Sequence, residues 1–147
     1  MKALVVIANG SEELEAFLSE CNEQYDVIAI PGGLPGADNL AGSQLLIQKI
    51  KEQLAANRFV AAICASPAIV LEGNGIIQGR KCTAYPSFQP KLANQSAVHQ
   101  RVVVDNHLIT SQAPGSAIEF SLEIIRQLKG EEAMREVEKP LVLSFKY

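Results

Sequence analysis

Cysteine is scarce in this chain. Cys21, Cys64 and Cys82 are all there is, and no two of them form a CxxC pair. An odd, sparse count excludes a disulfide frame and a zinc site, and it fits a reducing cytosol. No metal and no cofactor is expected. A basic stripe is also lacking: formal net charge is -3, with acids and bases mixed along the chain. That argues against nucleic acid as a partner, and the lack of an acidic tail argues against disorder. No apolar run is long enough to cross a bilayer. The opening residues, MKALVVIANG, lack the length and small-residue cleavage site of a secretory signal. The expected location is the cytoplasm, away from membranes. Repeats, low-complexity tracts and linkers are missing too, so residues 1–147 read as a single domain.

What is present suits a packed core. Of 147 residues, 48% are hydrophobic and 20% charged, which is the globular norm. Three β-branched or apolar runs, LVVIA (4–8), DVIAI (26–30) and FVAAI (59–63), predict strands. Helical patterns separate them. Ser11, with Glu12 and Glu13 behind it, opens a helix over 12–24, where the dipole favours anions. A second helix covers 44–56, with Leu46, Ile50 and Leu54 on one stripe and Asn57 at its end. A short helix is predicted at about Pro67 to Leu71, and a weak strand at Lys81 to Ala84. RVVVD and HLITS, around Asp105-Asn106, read as a hairpin. Ser116 and Glu119 read as a capping box for a helix that runs to Lys129 and stops at Gly130. A last helix covers about 131–137.

Strands that are apolar throughout, alternating with helices, imply a parallel sheet covered on both faces. The class is α/β, doubly wound. Ligand sites in such sheets lie off the carboxyl ends of the strands, where three loops should meet: Asn9 to Glu15, Pro31 to Asp38, and Cys64 to Pro67. A residue at a tight strand-to-helix turn is pushed out above the sheet edge, with helix N–H groups aimed at the same spot. Such donors favour a thiolate. The amides of Cys64 and Ala65, with those of Gly32 and Gly33, can hold an oxyanion there, and a carboxylate from the first loop can serve the thiol as proton partner. Position alone leaves two readings of Cys64 open, a small buried hydrophobe or a reactive thiol. His99 and His107 fall around the hairpin as surface or strand-edge residues. Cys82 reads as a packed thiol. Cys21 is set on its helix with nothing local to activate it.

Five segments carry a resemblance: GSEELE (10–15), DVIAIPGGLPGADNL (26–40), AAICASP (61–67), ITSQAPGSAIEFSLEII (109–125) and EKPLVL (138–143). Their order and content resemble the DJ-1/PfpI superfamily, and its DJ-1-like branch in particular. The resemblance implies a flavodoxin-like domain, usually a homodimer. It places Cys64 on the family's nucleophilic, oxidation-prone cysteine and Glu15 on the glutamate that hydrogen-bonds it. Gly32, Gly33 and Ala65 match backbone-donor positions. Ser111, Pro114 and Gly115 match the loop that lines the pocket, and Tyr85 stands where animal members carry a pocket histidine. Ala65 follows the cysteine where protease-like siblings have histidine, so their Cys-His pair is absent. The activities implied are cofactor-independent glyoxalase or deglycase chemistry on small reactive carbonyls, redox sensing, and chaperone-like protection. A degenerate oligomeric scaffold is the remaining alternative.

The chain is shorter than the resemblance requires. Roughly forty residues, about one βαβ unit, are expected between Ala16 and Phe17. Because parallel crossovers are right-handed, one straight helix over 12–24 cannot serve both of its ends. It can sit wholly on the second face and draw Glu15 away from Cys64. It can break near Ala16 or exchange with a partner subunit. Or the sequence joins two segments of a longer protein, which the good fit on each side of one poor junction favours. With that piece gone the first strand becomes an edge, and a homodimer or strand-exchanged oligomer is expected.

Overall fold

A computed structural model describes residues 1–6 and 23–143. The first loop, the helix expected over 12–24, Glu15 and Cys21 lie outside the described residues, wholly or nearly so. Among the described residues, five strands form one sheet in the order β1-β2-β3-β5-β4. They are β1 (Ala3–Val5), β2 (Val27–Ile30), β3 (Phe59–Ile63), β4 (Val102–Asp105) and β5 (Leu108–Ser111). All neighbours run parallel except β4, which returns antiparallel to β5 as the predicted hairpin. Register aligns Ile30 with Ala62, and Ile63 with Ser111, so the loops leaving β2, β3 and β5 emerge side by side.

Alternation along each strand divides the core between the two faces. Ile28, Ile30, Val60, Ala62 and Leu108 share one cluster with Leu46 and Ile50, which belong to α2 (Gln44–Ala55). Val27, Ala61 and Ile109 share the other with Phe120, while Ile124 and Leu128 pack against it; these three lie on α3 (Ala117–Lys129). Both faces are covered, as the continuous apolar strands require. Ser43 caps α2 by accepting from Leu46 N, and Asn57, at φ 54, turns the chain away into β3. Helix α4 (Glu131–Glu138) follows Gly130, whose φ of 90 suits glycine.

Several local expectations are corrected. A seven-residue helix, α1 (Gly36–Gly42), begins inside the segment read as loop. No side chain caps its start, and the Ala37 N–H instead bonds the Gly33 carbonyl. Lys81 to Ala84 is not a strand. Its polar groups find side chains in place of a ladder: Lys81 N donates to Asp105 Oδ2, and Thr83 N to Thr110 Oγ1. The turn after β3 is π-helical, Pro67–Glu72. Ser116 and Glu119 do not form a capping box on α3. Ser116 Oγ instead accepts from Ala113 N, and Glu119 pairs with Arg101.

Among the described residues β1 stands at the sheet edge, and Val5 is 61% exposed. Beside it an apolar trough of 370 Å³ opens on the α3 face, between Val5, Val27, Ala29, Phe120 and Ile124.

Candidate functional site

Cys64 is the first residue past β3, and its φ is +67. A non-glycine residue in the left-handed region is unfavourable by about 1–2 kcal/mol and persists only where its surroundings hold it. Two main-chain hydrogen bonds do so here. Cys64 N donates to the Ser111 carbonyl at 2.9 Å, and the Cys64 carbonyl accepts from Tyr85 N at 2.8 Å. The residue is half-buried, as is Ile63 before it, whereas Val60, Ala61 and Ala62 are buried.

The glycine loop packs directly on this bend. A Cβ on Gly32 would run into Cys64 Cβ and stand 2.7 Å from the Ile63 carbonyl oxygen and 3.2 Å from Ala65 N. Only glycine allows that approach. Gly33, at φ 92, continues the turn and is exposed. Ser66 fastens the two loops together: it is fully buried, and its hydroxyl donates to the Pro31 carbonyl in a short hydrogen bond. Among the described residues, none accepts a hydrogen bond from the N–H of Gly32, Gly33 or Ala65. The Cys64 N–H is different, because Ser111 already holds it. The donor set anticipated for an oxyanion therefore shrinks to Ala65 and the glycines.

The loop after β5 joins the bend through the Ser111 carbonyl. Ser111 is buried and Pro114 and Gly115 are exposed. The Ser111 and Ser116 hydroxyls lie 2.7 Å apart. Tyr85 is 42% exposed and reaches the bend through its main chain. Of the residues singled out in the sequence, Cys64, Gly32, Ala65, Ser111 and Tyr85 thus come together by direct contact. Gly33, Pro114 and Gly115 sit in the same loops. Glu15 cannot be placed, since it lies outside the described residues. Ser66 and the Arg101–Glu119 pair were not legible, because nothing local to either marks its partner.

The other titratable candidates stand apart. The His107 carbonyl accepts from Val60 N at the start of β3, and its ring packs on Phe59 at 5.0 Å. It belongs to the far end of the strands from Cys64. His99 is exposed. Cys82 is fully buried, and that burial pushes its thiol up to about 11, with Glu72 and Asp105 adding to the effect. Among the described residues, no three His, Cys, Asp or Glu side chains gather into a metal-binding group. No helix among them is long and apolar enough to cross a membrane.

Comparison with known proteins agrees with this geometry. The DJ-1/PfpI family profile matches residues 16–127. Protein DJ-1 homolog B of Arabidopsis thaliana is 43% identical over 133 residues, covering 88% of this chain but only 30% of the plant protein. The chain therefore spans less than a third of that relative's length. Protein dj-1beta of Drosophila melanogaster is 40% identical over 126 residues, 84% of this chain and 67% of the fly protein. The crystal structure of Drosophila DJ-1beta superposes with a TM-score of 0.86 at 31% identity, over 99% of this chain and 100% of that one. A glutathione-independent glyoxalase of Caenorhabditis elegans is 34% identical over 125 residues, 84% of this chain and 66% of the worm protein. With the profile covering most of its length and the fold in common, this chain belongs to the DJ-1/PfpI family.

Proposed function

We propose that the protein is a cysteine-dependent, cofactor-independent enzyme acting on small reactive aldehydes or their adducts, in the manner of a glyoxalase or deglycase. The observation that carries this reading is the left-handed bend at Cys64. It sets a half-buried thiol against a glycine loop whose N–H groups have no described acceptor. The name of the worm relative, a glyoxalase, supports the same reaction class.

For methylglyoxal the steps balance without an oxidant. The Cys64 thiolate adds to the aldehyde carbon, and the new alkoxide is stabilised by the amides of Ala65, Gly32 and Gly33. A proton then leaves the former aldehyde carbon and one returns to the neighbouring carbonyl carbon, leaving a thioester. Water cleaves the thioester, releasing lactate and the free thiol. Glu15 is assigned the proton transfers by the family resemblance. The family resemblance assigns Pro114, Gly115 and Tyr85 to the mouth of the pocket, where small side chains suit a small carbonyl compound.

Cys64→Ser is expected to lower methylglyoxal turnover at least 100-fold while the circular dichroism spectrum stays unchanged. Full turnover by this variant would end the enzymatic reading. A second reading, redox sensing, draws on the half-buried state of Cys64, since a thiol with some solvent access can meet small oxidants. Two added oxygens on Cys64 after mild peroxide, in a protein without turnover, would favour it. As assembly we propose a homodimer or strand-exchanged oligomer, consistent with β1 at an open edge.

A further inference from the structure

The segment over residues 111–116 is tied to Cys64 by the Ser111 carbonyl, which accepts the Cys64 N–H. Ser111 ends β5, where it pairs with Ile63 of β3 and Val102 of β4, and Arg101 adds a hold on the loop that leaves it. Arg101, just before β4, grips the loop at both ends. Its main-chain carbonyl accepts from Ser111 Oγ at 3.0 Å and from Gln112 N at 3.1 Å. Its guanidinium donates through Nη2 to the Gly115 carbonyl in a short hydrogen bond. The same group forms a bidentate pair with Glu119, Nε to Oε1 at 2.6 Å and Nη2 to Oε2 at 2.9 Å. Glu119 is buried in the first turn of α3, so the guanidinium is anchored to a rigid element. Inside the loop, Ser116 Oγ accepts from Ala113 N and lies beside Ser111 Oγ.

We propose that Arg101 is a positioning residue for Cys64: by clamping the 111–116 loop between β4 and α3, it holds the Ser111 carbonyl that keeps the thiol-bearing residue in its left-handed bend. The clamp deepens the reading of Cys64 as the functional thiol and rests on it. A planar fork suits this task, because it binds a carboxylate and a carbonyl at once. A purely structural Arg101 would change stability, since its partner Glu119 is buried, but would leave the chemistry of Cys64 unchanged. The positioning role makes the opposite statement. It couples the guanidinium to an amide and a thiol just past a different strand, β3.

The experiment compares the parent chain with Arg101→Ala, Arg101→Lys and Glu119→Gln. Amide hydrogen exchange followed by NMR is expected to show the Cys64 N–H exchanging at least tenfold faster in Arg101→Ala, with Val60 and Ala62 in β3 unchanged. Arg101→Lys should recover part of the protection, since an ammonium reaches one partner but lacks the fork. Methylglyoxal kinetics should show kcat falling about tenfold with KM within twofold, because Arg101 does not touch the substrate. Unchanged Cys64 exchange in folded Arg101→Ala and Glu119→Gln would overturn the clamp. If Arg101→Ala does not fold, Glu119→Gln and Arg101→Lys carry the same test. Faster exchange, combined with a parent Cys64 that alkylates with the rate–pH profile of free glutathione, would uphold the clamp and sink the enzymatic reading instead.

Discussion

The oxyanion donors proposed at Cys64 depend on how closely the glycine loop approaches it, and Gly32 and Gly33 would contribute in different ways. A methyl group on Gly32 meets the Cys64 side chain and the Ile63 carbonyl, which are held by β3 and cannot yield far. One on Gly33 meets no atom within 4 Å but sits on a backbone at φ 92. Gly32→Ala therefore costs about 1–3 kcal/mol through overpacking, and Gly33→Ala costs about 1–2 kcal/mol through backbone strain. Both should lower the urea midpoint. Only Gly32→Ala should slow iodoacetamide alkylation of Cys64, by tenfold or more, with peptide mapping assigning the adduct. Equal alkylation rates in the two variants would show that the close approach does not matter. At this scale the sequence marks the thiol and its glycines, because strand, Cys-Ala-Ser-Pro and Pro-Gly-Gly are all local signals. It does not reveal that Ser111 occupies the Cys64 N–H, since that bond joins positions far apart in the chain.

Elements were legible in proportion to how much of their signal is local and periodic. β3 runs from Phe59 to Ile63 as read, and α2 begins one residue after its serine cap, with Leu46 and Ile50 fully buried. The β4–β5 hairpin turns at Asn106, at φ 54. Helix α1 escaped because glycine and proline crowd its start and it has no side-chain cap. Lys81 to Ala84 was misread for the opposite reason. Its composition suits a strand, but the backbone donors of Lys81 and Thr83 are satisfied by the side chains of Asp105 and Thr110, a tertiary choice that periodicity cannot express. The Ser116–Glu119 spacing imitates a capping box. Arg101, remote in sequence, takes the glutamate away.

Taken whole, the fold follows from three apolar strands and the helices between them, and among the described residues β1 has no neighbour on its outer side. With β1 at the rim and Val5 exposed, association is the expected response. Light scattering should return about twice the 15.9 kDa of one chain, and a monomer mass at all concentrations would exclude the proposed assembly. Global stability should carry a second mark of the packing, at alkaline pH. Cys82 is fully buried, and its thiol is pushed from an ordinary 9.0 up to about 11. Between those values the unfolded chain has released a proton that the folded chain keeps. The unfolded state binds fewer protons there, so stability falls as pH rises. The contribution is complete below pH 9 and disappears as pH passes 11. At about 1.4 kcal/mol per pKa unit, the loss is of order 2–3 kcal/mol. Cys82→Ala removes the thiol and leaves every other titrating group in place. Its small packing defect does not depend on pH, so urea unfolding of the two proteins should give stability curves that converge between pH 9 and 11. Curves that stay parallel across that window would mean the Cys82 thiol ionises as readily in the folded protein as in the unfolded one.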